Sequence, residues 1–80
     1  MRLKIISAED VIFDGEVEAV HLPGAEGAFT VLNHHASLIS TLVEGEVSFE
    51  TREGGADHPA IHLHSGVACV DNNVVSVCLM

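Results

Sequence analysis

"LKIISAEDVIFDGEVEAVHLPG", residues Leu3 to Gly24, decides the fold class. Leu3 and Ile5 alternate, Val11 to Phe13 opens a second extended segment, and "EVEAVHL" runs into the turn dipeptide Pro23-Gly24. Period-two alternation sends successive side chains to opposite faces, as a half-buried strand requires. Between the second and third segments stands Asp14-Gly15, a pair able to supply the positive φ angles of a tight hairpin, so a turn is expected there.

The same grammar continues downstream. Phe29 to Leu32 is a short strand candidate, and Val47, Phe49 and Thr51 share one face of another that ends at Glu53 to Gly55. Ile61 and Leu63 alternate with His62 and His64. "VACV" is separated from "VVSVCL" by Asp71-Asn72-Asn73, with Asn72 and Asn73 as turn residues. "NHHASLISTLVEG", from Asn33 to Gly45, shows no consistent helical face and is expected to be loop and strand, with no more than one helical turn. Short strands punctuated at this spacing predict an all-β fold, a compact β-sandwich of about 8–10 short strands. The 80 residues form a single domain, 1–80, with no internal repeat or linker.

A chain of this length buries only about 60–65% of the surface its unfolded form exposes, so the core is thin and a partner surface would support it. Three Phe and no Trp or Tyr leave that core to Val, Ile, Leu and Ala. Twelve acidic residues against three basic ones give a formal charge of −9. Nucleic-acid affinity rests on Lys and Arg, so that class is excluded, and anionic lipid surfaces are disfavoured by the same charge. No run approaches the roughly 18–20 apolar residues of a membrane span. Cys69 and Cys78 lie in apolar runs and read as free, buried thiols of a reducing compartment.

Chemistry on the chain is sparse. "PGAEGAFTV" has paired glycines but no Lys, and strand-like residues follow it, so Gly24 and Gly27 serve turn geometry and not a phosphate loop. Ser37, Ser40, Thr41 and Ser65 stand beside no obvious base. No catalytic residue, cofactor or metal is assigned. The alternative reading is a small metal-binding module built on His58, His62 and His64, since His62 and His64 share a strand face. His34 and His35 are adjacent and point to opposite faces of an extended chain.

The three stretches "LKIISAEDVIFDGEVEAVHLPG", "EGAFTVLNHHASLISTLVEGEV" and "SGVACVDNNVVSV" resemble, in order and spacing, the N-terminal β-sandwich domain of the F-type ATP synthase epsilon-subunit family. Glu26, Gly27, Phe29, Leu32, His35, Ala36 and Leu38 carry the match through the middle stretch. The chain departs from the family pattern at Thr30, where Gly is usual, at Asn33 and His34, where Pro and Gly are usual, and at Ser37, where Pro is usual. Ala28 stands where several relatives carry an acidic residue facing the membrane ring.

The resemblance implies a non-catalytic rotor subunit of the central stalk. It would couple ion-driven rotation of the c-ring to ATP synthesis through contacts with gamma and the c-ring, touching the catalytic alpha/beta head only indirectly. It implies a c-ring contact at Glu26, Gly27, Ala28 and Phe29 and a gamma contact at His35, Ala36, Ser37 and Leu38. The implied location is peripheral, at the cytoplasmic face of the bacterial inner membrane. Relatives commonly continue into a two-helix inhibitory domain, and this chain is expected to act without one.

Overall fold

A computed structural model describes residues 1–51 and 60–80. The described residues form nine strands and no helix: β1 (Arg2–Ile6), β2 (Val11–Glu16), β3 (Ala19–Leu22), β4 (Phe29–Leu32), β5 (Leu38–Leu42), β6 (Gly45–Glu50), β7 (Ile61–Leu63), β8 (Gly66–Asp71) and β9 (Val74–Leu79). They build a five-stranded sheet in the order β2-β1-β9-β8-β5 and a four-stranded sheet in the order β4-β3-β6-β7. The expected all-β sandwich is the observed architecture.

Alternation explains the layers. Leu3 and Ile5 of β1, Ala68 and Val70 of β8, and Val75 and Val77 of β9 are buried from one sheet, and Val20, Leu22, Val31, Val47, Phe49 and Leu63 from the other, all in one cluster. Phe13 of β2 and Phe49 of β6 meet across the layers with ring centroids 4.3 Å apart. Among the described residues no polar or charged residue is buried, so burial of aliphatic side chains carries the stability. The same alternation turns Ser76 and Cys78 away from the core. Cys78 is exposed and Cys69 half-buried, both as free thiols, so the expected burial of these cysteines does not hold.

Asp14 and Gly15 are not a turn. They lie inside β2, paired with Lys4 and Leu3 of β1. The chain reverses earlier, where the Ser7 amide donates to the Asp10 carbonyl at 2.9 Å and the Val11 amide to Asp10 Oδ1 at 2.8 Å. Gly15 makes room for an aromatic ring, since a Cβ there would stand 3.2 Å from Phe13 Cζ. Asp14 serves a cross-strand contact, accepting a hydrogen bond from Arg2 Nε at 2.8 Å. Asn72 and Asn73, with φ of 49° and 60°, form a two-residue hairpin between Asp71 and Val74, the geometry that positive φ at both central positions produces.

The hydrogen bond from Arg2, aided by its charge, holds the Asp14 carboxyl below its ordinary value of 3.8. Because the folded-state value is depressed, this contribution is complete above the unfolded value and is lost as pH falls through the folded one. Asp14→Asn is therefore expected to lower the urea midpoint slightly at about pH 7, and the difference is expected to shrink as pH is lowered toward about 2. An equal loss at both pH values would show that Asp14 acts through something other than this ion pair.

Candidate functional site

Two loops flank β5, one of the two edge strands of the larger sheet. The first joins β3 to β4. Pro23 leads into a tight turn closed by the Gly27 amide donating to the Gly24 carbonyl at 3.0 Å, with Gly27 at φ 128°. The loop is stapled to the opposite sheet. Ala25 N donates to the Thr41 carbonyl and Val43 N to the Pro23 carbonyl, both at 2.9 Å, and Gly24 bridges Leu42. Glu26, Gly27 and Ala28 are exposed, whereas Phe29 packs against the core and anchors the loop's return. Between this loop and Ile39, Ser40 and Thr41 of β5 lies an open groove of about 590 Å³.

The second loop joins β4 to β5. His35 N donates to the Leu32 carbonyl at 3.2 Å, and His34 takes a φ of 63°. A positive φ at the third position is what Gly supplies after Pro in a type II turn, so Asn33-His34 holds a turn for which Pro-Gly is better suited. Neighbours fix it. The His34 amide donates to Asn73 Oδ1 at 2.8 Å, Ser37 Oγ to Asp71 Oδ1 at 2.7 Å, and the N-terminal ammonium to Asn33 Oδ1 at 2.8 Å. His35 Nδ1–H donates to the Ala36 carbonyl at 2.7 Å, which sets the tautomer. His35, Ala36 and Ser37 are exposed. Leu38 is half-buried, packs on the core and pairs with Val70, so it anchors the strand more than it presents a surface.

The residue that joins the two loops is one the sequence reading did not select. Ile39 is 77% exposed. It lines the groove beside the first loop and a shallow hollow of about 370 Å³ beside Ser37 and Asp71 of the second region. The available signal was alternation, because Leu38, Ser40 and Leu42 turn inward on β5 and leave an isoleucine at an outward position. Leu32 and Val43, beside the same loops, are also exposed.

Arg2 and Lys4 are exposed on β1, in the larger sheet. On the smaller sheet, His21 Nε2 lies 2.7 Å from Glu50 Oε2 and its Nδ1 2.9 Å from Thr30 Oγ1. Hydroxyl, imidazole and carboxylate thus stand in a row, but on an exposed sheet face, where they act as a cross-strand polar ladder. His62 lies on β7 and His64 just beyond it, both beside Glu44, and His58 lies outside the described residues.

A family profile described as the ATP synthase Delta/Epsilon chain beta-sandwich domain matches residues 1–79. The ATP synthase epsilon chain of Sulfurovum sp. (strain NBC37-1) is 42% identical over 71 residues, covering 89% of this chain and 54% of that protein. That of Campylobacter fetus is 40% identical over 77 residues, covering 96% and 58%. The chain thus spans a little over half the length of these curated relatives. In fold it is similar to a chain of the Tetrahymena thermophila mitochondrial ATP synthase central stalk/c-ring, with a TM-score of 0.81 at 13% identity over 99% of this chain and 62% of that one. A chain of the Euglena gracilis mitochondrial ATP synthase OSCP/F1/c-ring gives 0.82 at 23% identity over 96% and 48%. The sandwich described above is therefore that of the ATP synthase delta/epsilon-chain β-sandwich family, to which this chain belongs.

Proposed function

We propose that the chain is a non-catalytic rotor-stalk subunit of an F-type ATP synthase, seated between the gamma subunit and the c-ring. The observation that carries the reading is the family match over nearly the whole sandwich. The surface supports it: two hydrogen-bonded loops with an exposed isoleucine between them form a shaped and partly apolar contact area. The loop at Glu26, Gly27 and Ala28 faces the c-ring, with Phe29 holding it in shape. His35, Ala36 and Ser37 face gamma, and Ile39 extends that contact along β5. Rotation passes through the rigid sandwich, and the catalytic alpha/beta head is reached only indirectly. The protein is peripheral to the bacterial inner membrane on its cytoplasmic side, held there through the complex.

Co-purification with the cognate gamma subunit and catalytic head tests this. Ala36→Glu combined with Ile39→Glu changes only exposed positions, so the sandwich stays folded. Losing one buried isoleucine contact costs about 2 kcal/mol, which corresponds to roughly 30-fold weaker binding. A wild-type complex that the double variant loses supports the reading. Failure of the folded wild-type chain to join its cognate subunits overturns it, and a complex indifferent to the double variant removes the gamma face from β5.

A further inference from the structure

The smaller sheet ends at β7, which pairs with β6 in the register Gly45↔Leu63 and Glu46↔His62. Leu63 is buried, so His62 and His64 on either side of it leave the sheet on the same outward face. Glu44, one residue before the paired Gly45, reaches the same place from the short β5–β6 connection. His62 Nε2 lies 3.5 Å and His64 Nδ1 3.8 Å from Glu44 Oε2. The three ligand atoms all lie within 4.8 Å of one another. The rings stand edge to face with centroids 5.3 Å apart, so both nitrogens border the same small volume.

A tetrahedral zinc ion with ligands at about 2.0–2.1 Å spaces its ligand atoms by roughly 3.3 Å. Two of the three separations, 3.5 and 3.8 Å, are already within about 0.5 Å of that value, and rotation of exposed side chains closes the remainder. The β6–β7 ladder fixes the backbone at Gly45 and Leu63, and Glu44 and His64 each lie one residue beyond it. Two imidazoles and one carboxylate suit borderline transition metals. Calcium and magnesium prefer oxygen ligands throughout. Three protein ligands leave a further position open to solvent, and the formal charge of −9 attracts cations to the surface.

We propose that Glu44, His62 and His64 form a surface site for a divalent transition-metal ion of the zinc class. Bound there, the ion ties edge strand β7 to the β5–β6 connection. The site is independent of the contacts with gamma and the c-ring, so each proposal can fail without the other.

The test titrates the full chain, stripped of metal, with Zn²⁺ alone by calorimetry and with Co²⁺ alone by visible absorption. The expected result is saturable binding of one ion per chain, with the intense bands of tetrahedral cobalt. His62→Ala with His64→Ala is expected to abolish binding. Glu44→Gln is expected to weaken it by at least the ~10–100-fold that loss of an outer-shell partner costs at other sites. His34→Ala with His35→Ala, which removes two histidines elsewhere, is expected to leave it unchanged. All these side chains are exposed, and circular dichroism checks that each variant keeps the fold. Absence of saturable binding in the wild type, binding that survives loss of His62 and His64, or equal loss in the His34 and His35 variant would each overturn the site.

Discussion

Replacing Leu3 by alanine is expected to destabilise the protein by about 3 kcal/mol, within the range for a buried leucine that leaves a cavity behind. Leu3 is fully buried on β1, the strand that runs between β2 and β9, and its register partners are Gly15 and Val75. Gly15 offers no side chain to relax into the space. A domain of 80 residues has about 4–12 kcal/mol of stability in all, so this one change removes a large share of it. At roughly 4–8 °C per kcal/mol for a domain of this size, the melting temperature falls by about 12–24 °C. Urea unfolding measures the effect. A loss below about 1 kcal/mol, the ordinary cost of a point substitution, would contradict the burial assigned to β1.

Gly24→Val is expected to cost about 1–3 kcal/mol, as overpacking does, and to release the first loop from β5. A Cβ at position 24 would stand 2.7 Å from the Gly27 carbonyl oxygen and 2.8 Å from two atoms of the Phe29 ring. The ring can swing aside, but the carbonyl belongs to the turn that Gly24 itself closes, so the turn must open. Opening it strains the hydrogen bonds from Ala25 to Thr41 and from Val43 to Pro23. Hydrogen exchange should then quicken at the Ala25 and Val43 amides while the β8–β9 amides stay protected. Undiminished protection at Ala25 and Val43 would show that the loop tolerates a side chain there and that the staple does not depend on Gly24.

The two loops proposed as contact surfaces were legible as sequence, but what makes each a surface was not. Glu26 to Ala28 reads as a glycine-shaped loop, yet its attachment to β5 depends on residues Thr41 to Val43, well downstream and in the other sheet. Leu38 and Ile39 look equivalent as neighbouring aliphatics. The register of β5 against β8 turns the first toward the core and leaves the second exposed. Glu44 joins His62 and His64 in the same way, brought alongside by the β6–β7 ladder across eighteen and twenty positions of chain.

The sequence by itself determined the strand character of the chain and its best turn. Alternation of Leu3 with Ile5, Val47 with Phe49, and Val75 with Val77 follows from a period that any half-buried strand must obey. Asn72-Asn73 carries a conformational preference within two residues. Only the tertiary structure decided that Asp14-Gly15 runs straight through β2 and that β1 lies parallel to β9, the first strand beside the last. A glycine needed for positive φ and a glycine needed to admit the Phe13 ring are the same letter. Pairing between strands about seventy residues apart is set by how the two sheets bury their faces together, a free energy that belongs to the whole sandwich and to no local stretch.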